Sequence, residues 1–468
     1  MYDLLLKGAH VVDPLNGVNG VNDVAVEGGK IAAVGPDLTG PAREVIDVSG
    51  WVLQPGIIDS HVHLGSMWGS PYGPRMLAMN GVTTCLDMAG PLDDILEKTP
   101  QYGAGLNTAI LQFASPPFTF KTNAPSKAEM VELIDKSLAE GALGVKLLGG
   151  HYPLTPEVSS TLIKTALERR AYVAWHAGTS AHGSNLEGMI EAVQTADGYP
   201  LHLAHINAYC RGAIKNEIDE ARTAVELLNA NPNIFSESYI SPKNGTRLTC
   251  GPDGKIQSKV TGNCLSHFGF TEDRDGVRKA LLAHKAFAVY DAGGYSDLMT
   301  GEDAVKLWES HNTDVGGSFN INPPIPRILL AQVKRPDGAF VVDAISTDGG
   351  CIPRNVILSQ GLSLVKLDVM TLTEFAQKTS LNPARMLRLK DKGHLTVGAD
   401  ADITIYDYAA QTPKMSFVEG RKVLFKGEVL GKNANIICTE RGQKAIEARG
   451  LKAIVVDPGL PVDRVKAL

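Results

Sequence analysis

Two histidines one residue apart, His61 and His63, close an apolar run and set the chemistry to look for. Trp51-Val52-Leu53 leads through Gln54-Pro55 into Gly56-Ile57-Ile58-Asp59-Ser60-His61-Val62-His63. On an extended strand residues i and i+2 point to the same side, so both imidazoles can reach one metal ion. Alone, such a pair is as readily a strand cap beside a surface histidine. Four further residues shift that balance, because each stands in or just after another apolar run. Lys146 lies within Gly144-Val145-Lys146-Leu147-Leu148, and His176 follows Val173-Ala174-Trp175. His205 follows Leu201-His202-Leu203-Ala204, and Asp348 follows the run from Val341 to Thr347. Four imidazoles and a carboxylate suit Zn²⁺ or a similar borderline ion.

A lysine among apolar residues is penalised as the ammonium, so the pKa of Lys146 is expected to fall. Its neutral amine can then take up CO₂ as a carbamate, a bidentate anion able to bridge two metals. A snorkelling or ion-paired lysine is the alternative. Asp348 can ligate a metal and also take a proton from water, whose pKa a metal lowers from about 15.7 to about 7. Hydroxide held between two metals would attack a polarised carbonyl, and the carboxylate would return the proton to the leaving amine. An ordinary turn competes for Asp348, since Gly349-Gly350 follow it.

His202 competes with His205, but three residues apart on a straight strand they face opposite ways. His205 ends the run and is the expected ligand; His202 is expected in the core or behind the ligands. His151, five residues past Lys146, is a candidate substrate contact. So are Tyr239, Lys243 and Arg247 after the seventh run and Arg354 after the eighth, since an arginine fork suits a carboxylate. Tyr295 and Asp297 are weaker candidates of the same kind.

Holding these side chains together requires many strands that end at one place. Apolar runs at 57–58, 82–88, 108–113, 144–148, 172–174, 201–204, 233–236 and 340–345 give eight buried strands. Helical stretches separate several of them. Ser126 with Glu129 is a capping-box pattern opening one helix, and Pro156-Glu157 opens another. Repeated βα units predict an α/β fold, a parallel (β/α)₈ TIM barrel over 53–395. An open doubly wound sheet is disfavoured, because no glycine-rich phosphate turn follows any strand. The stretch 245–338 is too long for one βα link and reads as an insertion over the barrel mouth. At the N-terminal end, short runs at 3–7, 10–12, 24–26, 30–34 and 44–47 are β-favouring, with Gly28-Gly29 as a hairpin signal. The same texture returns after Gly398-Ala399-Asp400-Ala401-Asp402. Residues 1–52 and 396–468 are therefore expected to form one small β-sandwich.

The chain has 468 residues, 44% hydrophobic and 21% charged, with a net charge of −6. That is long enough for a large core and argues against nucleic acid or an anionic membrane as partner. No apolar stretch reaches the ~18–20 residues of a membrane span. The first residues lack the pattern of a signal peptide. Six scattered cysteines fit a reduced, cytoplasmic setting; Cys250 and Cys264 flank a polar loop, but nothing requires them to pair.

The ordered set His61-x-His63, Lys146, His176, His205, Asp348 resembles the amidohydrolase superfamily, in its binuclear branch with a carboxylated lysine. Residues 55–63 are similar to that family's strand-one signature, Gly81-Val82-Thr83-Thr84 to its strand-two opening, and residues 398–402 to its return into the β domain. The resemblance implies two divalent metals, most simply zinc. His61 and His63 would hold the buried one and His176 and His205 the more exposed one, with Lys146 bridging as its carbamate and Asp348 as acid/base on the buried metal. The long insertion and Ser346-Thr347-Asp348-Gly349 are similar to D-aminoacylases, although Cys85 is misplaced for the strand-two cysteine those enzymes often use. Residues 201–207 with Tyr209 and Gly212 resemble the hydrolytic A subunit of formylmethanofuran dehydrogenase. Gly144-Val145-Lys146 fits that subunit as well as isoaspartyl dipeptidases.

The expected activity is hydrolysis of an amide C–N bond in a small molecule, an N-acyl amino acid or related open-chain amide, by a homo-oligomer. A cyclic amide hydrolase of the hydantoinase or dihydroorotase kind is the alternative. A non-catalytic or complex-dependent subunit is the alternative of another class. A deaminase is disfavoured, because Ala177-Gly178-Thr179 follow His176 where a catalytic Glu would be needed.

Overall fold

A computed structural model describes residues 1–116 and 118–464. Its centre is a closed ring of parallel strands. Seven are continuous: Ile57–His63, Val82–Ala89, Ala104–Ala114, Gly144–Leu148, Tyr172–His176, Leu201–Leu203 and Ile234–Tyr239. The eighth comes in two pieces, Ala344–Ser346 and Gly349–Gly350. The first piece pairs with Ile234–Tyr239 and the second with Ile57–His63, so the ring closes around the break at Thr347-Asp348. The strands are buried nearly throughout, as a parallel sheet sheathed by helices requires. This is the TIM barrel expected from the alternating runs.

The helical layer follows from local signals. Lys127–Glu140 starts at a complete capping box: Ser126 Oγ accepts from the Glu129 N–H, and the Glu129 carboxylate accepts from the Ser126 N–H at 2.8 Å. Pro156–Glu168 starts with proline in its first turn, capped by the Thr155 side chain. Met130, Ile134 and Leu138 on the first helix and Leu162, Ile163 and Ala166 on the second bury against Val145, Leu147 and Val173. Among the described residues no helix is long and apolar enough to cross a membrane.

Both chain ends share a nine-stranded sheet. Its order runs Glu428–Val429, Arg421–Phe425, Thr412–Val418, Ile403–Asp407, Val52–Pro55, Tyr2–Asp13, Val18–Glu27, Lys30–Gly35. Ala42–Asp47 lies beside the first half of Tyr2–Asp13, and Val52–Pro55 beside the second. The change of partner falls at an irregularity between Leu6 and Ala9, where Gly8 adopts φ of +74°. That left-handed backbone favours glycine. Asp23 fastens the bend: its carboxylate accepts from the Gly8 N–H at 2.8 Å, the Leu38 N–H at 2.8 Å and Lys7 Nζ at 2.5 Å.

Four expected boundaries are corrected by this topology. Val52–Pro55 belongs to the terminal sheet, so the barrel starts at Ile57 rather than 53. Asn433–Cys438 and Lys452–Val455 leave the terminal sheet and extend the barrel sheet. Gly144–Leu148 pairs only with Leu111 to Ala114 of the third barrel strand. The lower half of that strand is thus an open edge, which Asn433–Cys438 fills. Residues 465–468 of the expected sandwich lie outside the described residues. The eighth strand begins at Ala344, not 340, because Val341 and Val342 pack with Leu228 and Leu330 in the helical layer.

The insertion is likewise shorter than expected. Thr246–Arg247, Gly316–Phe319, Ala286–Asp291 and Ser296–Met299 form a separate four-stranded sheet. With Lys259–His267, Arg274–Leu282 and Glu302–Ser310 it encloses its own core around Leu248, Leu265, Leu281, Trp308 and Phe319. Helix Pro324–Gln332, by contrast, buries Leu330 against Leu228 and Ile234 of the barrel. The insertion proper ends near Ile321.

Candidate metal centre

The eight strand ends surround a cavity of about 320 Å³ lined by His61, His63, Lys146, His176, His205 and Asp348. His61 and His63 stand two apart on the first strand, and both Nε2 atoms face Asp348 Oδ1, at 3.4 and 2.9 Å. A ligand atom from each of these three residues lies within 4.8 Å of the others. His176 and His205 meet at a second point, with His176 Nδ1 3.1 Å from His205 Nε2. The two pairs adjoin, since the rings of His61 and His205 stack at 5.2 Å. Lys146 is fully buried, and its Nζ contacts Met88 Sδ at 2.9 Å.

The backbone is bent to present two of these groups. His205 has φ of 35° and Asp348 φ of 52°, in the left-handed region that histidine and aspartate enter more readily than most residues. Asp348 occupies the break in the eighth strand. Asp59 holds that break from below, its carboxylate accepting from the Thr347 N–H at 3.1 Å and the Thr347 hydroxyl at 2.5 Å. Gly150 gives His176 its space: a Cβ there would fall 2.0 Å from His176 Nε2, which is engaged by Ser184 Oγ at 2.7 Å.

The electrostatics favour a cation at both points of convergence. Burial drives His61 and His176 well below the usual imidazole range and His205 to about 3, so these rings are neutral and keep lone pairs. His63 Nδ1 and His205 Nδ1 are buried with no partner among the described residues. Burial pushes Lys146 down from the usual lysine value against the pull of Glu237, Asp348 and Asp87. For Asp348 burial acts upward, but Arg354, then His61 and His63, hold the carboxyl well below its usual range. Neutral imidazoles, an ionised carboxylate and a lysine easily deprotonated form a donor set that fits divalent metal.

Three residues of the site were not among the sequence candidates. Glu237, fully buried on the seventh strand, accepts from His61 Nδ1 at 2.7 Å, from the His205 N–H at 2.7 Å and from Ser346 Oγ. Burial pushes its carboxyl up to about 8, against the Ser346 hydroxyl and the His205 N–H, which act to lower it. Its only sequence signal is an acidic residue inside a strand. Met88 lies under Lys146. Arg211 lines the cavity beside Tyr239, in the loop after the sixth strand.

The substrate candidates divide. His151, Tyr239 and Arg354 all line the cavity. Arg354 Nη2 pairs with Asp348 Oδ2 at 2.6 Å, its Nε donates to the Asp348 carbonyl at 2.6 Å, and its Nη1 donates to the Lys243 carbonyl at 3.0 Å. Every guanidinium nitrogen is thus engaged by protein, which leaves little for a substrate. Lys243, Arg247, Tyr295 and Asp297 are not part of the lining; Arg247 instead pairs with Asp314 and the Met67 carbonyl. His202 sits inside the barrel with Nδ1 2.8 Å from the Tyr172 hydroxyl. Cys85 turns its thiol to Thr108 and the core, away from the cavity. Cys250 and Cys264 are free thiols.

A family model described as the amidohydrolase family matches residues 324–437, the segment that carries Asp348 and Arg354. The dihydroorotase of Geobacter metallireducens is 25% identical over 431 residues, covering 86% of this chain and 90% of its own. A solved D-aminoacylase superposes with a TM-score of 0.66 at 18% identity, covering 93% of this chain and 99% of its own. A chain of the formyltransferase/hydrolase complex of Methylorubrum extorquens gives 0.62 at 18% identity, covering 95% of this chain and 93% of its own. Residues 324–437 thus match the amidohydrolase family, the likeness to a dihydroorotase runs along most of the chain, and the solved structures share its barrel.

Proposed function

We propose that this chain hydrolyses an amide C–N bond in a small molecule, an N-acyl amino acid or a related open-chain amide, with two divalent metals and zinc by preference. The observation that carries this reading is the pair of histidine convergences on one cavity floor, with Lys146 and Asp348 among them. His61, His63 and Asp348 would hold one metal and His176 and His205 the other, with Lys146, as its carbamate, shared between them. When bound, such metals polarise an amide carbonyl and bring the pKa of water near neutrality.

The protein's own groups do the rest. Asp348 is kept ionised by Arg354 and can accept a proton from water. It can then pass that proton to the leaving nitrogen. Arg354 also fixes the carboxylate in direction by gripping both its side chain and its carbonyl. Lys146 reacts through its uncharged amine, adding CO₂ and releasing one proton, which burial of the ammonium favours. The insertion covers the cavity with helix Lys259–His267, whose Lys259, Val260, Asn263, Cys264 and His267 line it. That roof shields the reacting atoms from bulk water.

Cyclic amides are the second reading, favoured by the likeness to dihydroorotase along most of the chain. Assay of the metal-loaded protein against N-formyl, N-acetyl and cyclic amides separates the two. Turnover of N-acyl amino acids supports the first reading, turnover confined to ring amides supports the second, and none with either removes both.

A further inference from the structure

Besides Lys146, three cationic side chains line the cavity, Arg211, Lys259 and Arg354, against a single acidic one, Asp348. Arg354 is accounted for by its pair with Asp348. Arg211 differs in kind. Its Nε donates to Asn322 Oδ1 at 2.8 Å and its Nη2 to the Tyr239 hydroxyl at 2.9 Å. Asn322 is itself fixed, donating to the Ser241 carbonyl at 3.2 Å. Two neutral acceptors therefore hold the guanidinium in place without neutralising it. Among the described residues no carboxylate pairs with Arg211, and its Nη1 has no protein acceptor. Tyr239, which orients it, stands with its ring 6.2 Å from that of His205. A fixed, uncompensated guanidinium with a spare nitrogen beside the floor of a concave site suits an anion arriving with the substrate.

We infer that the substrate carries a carboxylate next to the bond that is cleaved, and that Arg211 receives it. The inference rests on the hydrolase reading only for the identity of that bond. It separates acidic substrates, such as N-acyl amino acids, from neutral amides of the same shape. Lys259 adds a second positive charge on the roof. Asn263 and His267, at four-residue spacings, extend a polar face over the remainder of the molecule.

The test is calorimetric binding to zinc-loaded protein of N-acetyl amino acids of both hands, each beside its primary carboxamide. The acids are expected to bind about 10- to 100-fold more tightly than the amides, the range for a hydrogen bond to a charged group. Arg211→Gln should erase that preference with the metal content and the binding of the amides unchanged. Arg211→Lys, which keeps the charge but loses the fork, should retain part of it. Equal binding of acids and amides, failure of the acids to bind, or an equal loss of both in Arg211→Gln would overturn the inference. If the acids are preferred but no amide is turned over, the carboxylate site stands and the hydrolase reading falls. If amides are turned over without that preference, the reverse holds.

Discussion

One buried carboxylate connects the two halves of the candidate metal centre. Glu237 accepts a hydrogen bond from His61 Nδ1, which leaves His61 Nε2 for a metal, and another from the backbone N–H of His205. Its removal should therefore be felt by one ligand from each histidine pair. Glu237→Gln, which keeps the shape but weakens the acceptors, is expected to lower zinc affinity about 10- to 100-fold, measured by competition with a chelator. The circular dichroism spectrum should not change. Gly150→Ala acts on the other pair: the added methyl must displace His176, and a shift of that order is expected to cut activity about 100-fold with folding intact. Steady-state kinetics beside thermal melting reads both. The six ligand candidates were legible in the sequence because each closes or sits within an apolar run. Glu237 was not, since it stands directly after the 233–236 run and nothing in the sequence marks its carboxylate as facing the histidines. Nor was the engagement of Arg354 by Asp348, which depends on the break in the eighth strand.

At the scale of elements, the terminal sheet depends on the bend at Gly8 and on Asp23. Burial acts to raise the Asp23 pKa, but Lys7, Gly8 and Leu38 together hold it below the usual carboxylate value. With the folded value below the unfolded one of about 3.9, the staple stabilises above that pH and is lost as the pH falls through the folded value. Asp23→Asn should therefore lower the melting temperature at neutral pH and flatten the acid limb below about pH 4. The insertion is a second such unit, with Trp308 fully buried and its Nε1 bonded to the Leu248 carbonyl at 2.9 Å. Trp308→Ala should cost about 3–5 kcal/mol, seen as an early transition in urea confined to the insertion. Most strand positions were legible from apolar runs. The ends were not where a neighbour decides them: Val341 and Val342 have strand-like side chains but are captured by the helical layer. Asn433–Cys438 carries a β-favouring pattern that cannot name its sheet; the open lower edge of Ala104–Ala114 does.

For the whole molecule, closure of the ring turns separate strand ends into one site. His61, Lys146, His176, His205 and Asp348 span nearly 290 residues of sequence and converge only because the last strand pairs with the first. That architecture was legible, while the charge of the cavity was not, since it depends on which arginine finds a carboxylate. The central claim is a two-metal centre that depends on Lys146. Its most direct test is elemental analysis of purified protein beside amide hydrolysis, for the natural chain and for Lys146→Ala. About two divalent metals per chain, falling with activity in Lys146→Ala, is the result expected. Fewer than about one metal per chain, with activity untouched in Lys146→Ala, would contradict it.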